Sequence, residues 1–297
     1  MRITDNLINK NFYENISRTR KKMVQLQSDI ATTKKVRTPS DDPIGFSRAT
    51  RFKLLKSRNE QYSKNIQQVS DHVSGALAAI DSAVDIVSHA KELAVQAANG
   101  TLEETTRGSI AKEVDQMIES LVTKGNAKHD NRFIFAGTQT LGDPPFVRNG
   151  DVIQYNGDDG VIKNTVGDGV EVATNKPGTE VFKPGGGVDI FDSMIAFKQA
   201  LEQNDVAAIE NSIDDLGQSL DHLLTVSADF AGLQNRLDAT EELIQSHNLK
   251  LTDAASRIED TDVVKTIIDF QNAQNAYTFA LRSFQQLIDT SLINFLS

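Results

Sequence analysis

Cysteine and tryptophan are absent from this chain, proline occurs only six times in 297 residues, and no apolar run reaches the length of a membrane span. Without cysteine there is no disulfide scaffold, no thiolate metal site, no cysteine nucleophile and no dithiol couple. The opening MRITDNLINKNFYENISRTRKK lacks the apolar stretch of a secretory leader, which predicts that any export proceeds without a cleaved signal peptide. Basic residues are in deficit, 31 against 41 acidic for a net charge of -10. That balance argues against a nucleic-acid partner, whose phosphates are held mainly by Lys and Arg. Neither nucleic acid nor membrane is expected to bind.

Catalytic patterns are missing as well. The five histidines, His72, His89, His129, His222 and His247, have no metal-ligand spacing and read as solvated side chains. No GxSxG or Walker A sequence occurs, and Gly137 to Gly142 lacks the lysine a phosphate loop requires. Asn156 to Gly160, NGDDG, reads as a turn, because the ligand order and closing Glu of a calcium loop are missing. No catalytic, cofactor-binding or metal-binding residue is assigned, and an enzyme is not expected.

What is present is helix. From Pro43 to Ala98 the apolar residues Leu55, Tyr62, Ile66, Val69, Val73, Leu77, Ile80, Val84, Val87 and Leu93 recur at helical steps. Asp42 is a natural N-cap, Pro43 suits the first helical position, and Asn99-Gly100 supplies a stop. Such a helix would run about 84 Å, longer than a compact single domain holds. Thr101-Leu102-Glu103-Glu104 has the form of a capping box for a following helix that ends at Gly125. Residues 137–190 hold 11 of the 18 glycines and four of the six prolines. They punctuate short strands expected at Val152–Tyr155, Val170–Thr174 and Thr179–Phe182. Further helices are expected from Asp189, from Asn204 and from Asp260.

Both ends of the chain carry an apolar stripe. In the last helix Val263, Phe270, Tyr277 and Phe284 form one heptad line, and Ile267, Leu281, Ile288 and Phe295 form a second. Near the start, Phe12, Ile16, Met23, Leu26 and Ile30 repeat the spacing. Pairing the two terminal helices covers part of both stripes. The pair is too sparsely apolar to become firmly ordered except against neighbouring copies, so these residues are expected to form a subunit-interface seam in a polymer or ring. Residues 1–60 carry 14 basic and 6 acidic side chains. The cluster Arg18, Arg20, Lys21 and Lys22 reads either as a solvated face or as a partner for acidic surfaces of neighbours.

Three stretches resemble the flagellin family: VRTPSDDPIGFSRA at 36–49, KELAVQAANGT at 91–101 with SIAKEVDQMIESL at 109–121, and the closing helix from Asp260. In the first, Pro39 and Pro43 bracket a reversal of direction, and Asp41 and Asp42 offer carboxylates to free backbone N–H groups. Thr33 stands where the family often places glycine. NRFIFAGTQTLGDPPF at 131–146, the short insertion and the ending SLINFLS resemble the members that join hook to filament more than filament flagellins.

The resemblance implies a mainly α protein with a small β insertion, an elongated flagellin-like helical rod whose terminal helices form a coiled coil. Its implied domains are 1–42 with 258–297, the terminal coiled coil; 43–136 with 189–257, the helical rod; and 137–188, a β-rich outer domain. It implies an extracellular structural subunit of the bacterial flagellum, exported and self-assembling, that joins hook to filament and templates flagellin. Implied partners are further copies in a ring layer, another hook-associated protein, flagellin, and an export chaperone on the C-terminal helix. A filament-forming flagellin is the alternative within the family, and a secretion-system needle or tip protein the alternative outside it.

Overall fold

A computed structural model describes the backbone of residues 2–296, with the side chains of residue 7 and of residues 10–286. The chain opens with helices α1 (Arg2–Thr32), α2 (Pro43–Ala97) and α3 (Glu104–Gly125). Three antiparallel pairs follow: β1 (Lys128–His129) with β2 (Arg132–Phe133), β3 (Phe146–Asn149) with β4 (Val152–Tyr155), and β5 (Lys163–Gly167) with β6 (Val170–Ala173). Helices α4 (Gly178–Phe182), α5 (Ile190–Glu202), α6 (Val206–Glu259) and α7 (Val263–Leu296) complete it. There are two compact units, residues 1–57 with 247–297 and residues 58–246, and α2 and α6 contribute to both.

Aspartates start four of the helices. Asp42 Oδ1 accepts from the N–H groups of Ile44 and Gly45 at 3.1 and 3.0 Å, with Pro43 leading α2 as expected. Asp189 accepts from Phe191 and Asp192, Asp205 from Ala208, and Asp262 from Lys265. Each carboxylate satisfies donors the helix cannot reach and sits at the positive end of its dipole. The start of α3 differs from expectation: Glu103 is its N-cap without a side-chain bond. Thr101 is instead drawn into the preceding turn, where its N–H and Oγ1 both donate to Asn99 Oδ1.

In the unit 58–246 the seam of α2 buries Ile66, Val73, Ile80 and Val87 on one heptad line and Val69, Ala76, Ala83 and Ala90 on the next. Helix α6 answers with Ile209, Leu216, Leu223, Phe230, Leu237 and Ile244 in the same apolar cluster. Polar pairs fix the register, Gln234 Nε2 donating to Ser70 Oγ at 2.7 Å and Ser227 Oγ to Asp81 at 3.2 Å. Helices α3 and α5 pack on each other beside this seam. Arg107, buried at 3% exposure, donates to the carbonyls of Ala97 (3.0 Å) and Asn99 (2.9 Å) and to Asn204 Oδ1 (2.6 Å). Its charge thus caps the C-terminal end of α2, where the helix dipole favours a cation.

The insertion folds around aromatic rings. Phe146 lies 5.1 to 5.3 Å from Tyr155, Phe182 and Phe191, and Phe135 meets Phe182 edge-on at 5.3 Å. The expected strand at Thr179–Phe182 is the helix α4. Val181 and Phe182 are both fully buried in it, and adjacent side chains of a half-covered strand would point to opposite faces. Tyr155 Oη lies 2.9 Å from the Phe135 carbonyl and accepts from the Gly178 N–H at 3.2 Å. Burial pushes this phenol up to about 12, so it remains a neutral donor. Gly137, at φ +69°, lets the chain turn against Asp158, whose carbonyl oxygen would lie 2.0 Å from any Cβ there.

Candidate assembly interface

In the unit 1–57 with 247–297, α1 packs along α7. On α1 the half-buried residues are Phe12, Ile16, Thr19, Met23, Leu26 and Ile30, spaced by alternating fours and threes. On α7, Thr266 and Ala273 are buried and Phe270, Tyr277, Ala280 and Phe284 half-buried, with the same alternation. This is knobs-into-holes spacing, with small residues on α7 receiving larger ones. The rings of Phe12 and Phe284 stack with centroids 3.8 Å apart and planes within 6°.

Much apolar surface on α7 stays outside this seam. Ile267 and Leu281 flank it at 40% and 43% exposure, Val263 is at its edge, and Val264, Ile268 and Phe279 lie farther round at 71%, 52% and 65%. Stripes of this kind mark interaction surfaces.

At the base of the pair, the turn from α1 to α2 is clasped to the link between α6 and α7. Lys34 and Asp260 form an antiparallel bridge, Lys35 N–H donates to the Glu259 carbonyl at 2.7 Å, and Thr261 N–H to the Thr33 carbonyl at 3.0 Å. The Glu259 side chain, 5% exposed, is gripped by Lys34 Nζ at 2.7 Å and by Lys53 Nζ. Burial alone would raise this carboxyl, but the two ammonium groups outweigh it and hold it below the usual carboxylate range. Arg37 bonds Asp29 at 2.8 Å, a carboxyl that burial raises even though Arg37 opposes the shift. Asp41 Oδ2 accepts from the N–H groups of Arg37 and Thr38 at 3.0 and 2.9 Å and from the Thr38 hydroxyl, which lowers its pKa. Thr33 sits at φ +57°, a left-handed conformation that is strained for a β-branched residue.

Residues 3–140 match the family model described as the bacterial flagellin N-terminal helical region. Flagellar hook-associated protein 3 of Escherichia coli is 25% identical over 98% of this chain and 98% of its own length. The chain is similar to the bacterial flagellin family. A putative flagellar hook-associated protein from Vibrio parahaemolyticus superposes with a TM-score of 0.68 at 21% identity, over 74% of this chain and 100% of that one. The flagellar junction protein FlgL of Legionella pneumophila gives 0.62 at 15%, over 72% and 100%. The fold is thus the flagellin-like helical fold, and the chain is a structural component of the bacterial flagellum.

The structure of this flagellin-like protein divides the seam residues read from its sequence. Phe12, Ile16, Met23, Leu26, Ile30, Phe270, Tyr277 and Phe284 line the α1–α7 contact, while Val263, Ile267 and Leu281 are exposed in the single chain. The side chains of Ile288 and Phe295 lie outside the described residues. Of the turn residues, Asp41 and Asp42 cap free N–H groups, and Pro39 and Pro43 are exposed at its two ends. Sequence reasoning missed Thr19, Thr266, Ala273 and Ala280, because heptad reading scores large apolar residues and a hole needs small ones. It also missed the Glu259 clasp, whose partners lie more than 200 residues apart.

Two histidines depart from the solvated reading. His72 packs edge-on against His129 with centroids 6.3 Å apart, and burial, followed by the nearby His129, lowers its pKa. His222 Nε2 lies 2.9 Å from the Glu180 carbonyl. Among the described residues no three His, Asp or Glu side chains gather into a metal site, and no helix is long and apolar enough to cross a membrane.

Proposed function

We propose that this chain is the subunit that joins the flagellar hook to the filament, forming a ring layer that templates flagellin. The observation carrying the reading is the end-to-end likeness to flagellar hook-associated protein 3, which spans insertion and both termini alike. In this reading the three proposed domains have separate tasks. Residues 1–42 with 258–297 pack with neighbouring copies, 43–136 with 189–257 form the helical body, and 137–188 form the outer domain.

The apolar stripe of α7 gives the assembly its chemistry. Ile267, Leu281, Val264, Ile268 and Phe279 are exposed in one chain, and their burial against neighbours supplies the association energy. Before assembly the same stripe is the surface an export chaperone would hold. Partners in the finished structure are further copies, another hook-associated protein on one edge and flagellin on the other.

The test is a strain lacking its own copy of this protein, complemented with the chain or with a variant deleted for residues 260–297. Filaments are expected only with the intact chain, and immunogold label only at the filament base. Label along the whole filament would make the protein a filament flagellin, and filaments from the truncated chain would end the terminal-seam reading.

A further inference from the structure

Charge is partitioned between the two units. Residues 1–57 with 247–297 carry 17 basic and 11 acidic side chains, net +6, while residues 58–246 carry 14 and 30, net -16. Much of each excess lies on one helix. On α1, Lys10, Arg18 and Lys21 are exposed on the side opposite the line that meets α7, with the acid Glu14 among them, and exposed Lys22 flanks that line; among the described residues none of these four bases is in an ion pair. On α6, residues 206–246 hold eight acidic side chains and a single base, Arg236. Its buried line at Ile209, Leu216, Leu223 and Leu237 turns Glu210, Asp214, Asp221, Asp238 and Glu242 outward. All five are exposed, and among the described residues none of them is in an ion pair.

We infer that the basic outer arc of α1 in one copy docks on the acidic outer face of α6 in a second copy. This rests on the assembly reading above and adds to it a register-setting contact between charged faces. The occupant is argued from complementarity: each face spans several helical turns, Glu14 on α1 and Lys91 beside Gly217 of α6 offset only a small part of either excess, and like faces repel. Apolar burial at α7 then supplies adhesion, and the charged contact selects which neighbour is accepted and in what offset.

The test uses the full chain in flagella. Reversal of Arg18→Glu, Lys21→Glu and Lys22→Glu together is expected to lower the amount recovered in purified flagella by roughly tenfold to a hundredfold. Adding Asp214→Lys, Asp221→Lys and Glu210→Lys to the same chain is expected to restore it. Because the chain has no cysteine, a Lys21→Cys copy co-expressed with an Asp221→Cys copy should give a mixed cross-linked dimer. Normal recovery of the triple reversal, failure of the swapped chain to recover, or absence of the mixed dimer would each overturn the docking. None of these would touch the assembly reading, which stands or falls on truncation of α7.

Discussion

Phe12 and Phe284 are 272 positions apart in sequence, yet their rings stack with centroids 3.8 Å apart. That contact ties the first helix to the last and fixes which line of α7 is spent inside the chain. The neighbouring line, with Ile267 and Leu281, stays exposed in the single chain.

Leu281→Asp therefore separates assembly from folding. At 43% exposure the new carboxylate stays solvated in the single chain, so circular dichroism and monomer melting should change little. In the assembled layer it would be buried without a partner, and recovery in flagella should fall to background. Phe284→Asp should do both, losing recovery and loosening α1 from α7 in hydrogen exchange. Normal motility with both variants would contradict the seam.

Thr33→Gly should stabilise the terminal unit. Threonine in the left-handed region costs on the order of 1 kcal/mol that glycine does not. Against this, glycine adds backbone entropy to the unfolded chain. A net gain of about 0.5 kcal/mol is expected, seen as a higher denaturant midpoint on probes in residues 1–57. A lower midpoint would mean that the Thr33 hydroxyl bond to the Thr32 carbonyl outweighs the strain.

Acid should loosen the Glu259 clasp. Its folded pKa is lowered, so its contribution is present above the unfolded carboxylate value and is lost as pH falls through the folded value. Glu259→Gln should cost about 1 kcal/mol at neutral pH, modest because Lys34 and Lys53 are 39% and 54% exposed. It should also flatten the acid limb of stability against pH. An unchanged acid limb in the variant would show that other carboxylates carry it.

Arg107→Ala should destabilise the unit 58–246 by roughly 2 to 4 kcal/mol, since it removes three bonds and leaves the Ala97 carbonyl at the end of α2 without its side-chain donor. Arg107→Lys should rescue little, because one ammonium cannot reach three acceptors in a fork. A melting temperature within a degree of the parent chain would count against this assignment.

Gly137→Ala should unfold the insertion locally. A Cβ would lie 2.0 Å from the backbone oxygen of Asp158, which a side-chain rotation cannot relieve. Faster hydrogen exchange at Thr138 and Gly160, which bond Asp158, is the expected reading, with α2 and α6 unaffected.

The sequence alone marked the long helices, the starts of α2 at Asp42 and α5 at Asp189, and the strands at Val152 and Val170. Their signals are local: an aspartate beside free N–H groups, a period of three and four, a glycine where the chain must turn. It also marked both terminal stripes as apolar. The helix at Thr179–Phe182 escaped, because five residues around an aromatic cluster are decided by what covers them rather than by propensity.

Only the tertiary structure decided which line of α7 meets α1, which line remains open, and how Glu259 and Arg107 hold distant segments. Two heptad lines a residue or two apart look alike in sequence. Choosing between them depends on which small side chains opposite leave room, and that is a property of two surfaces in contact.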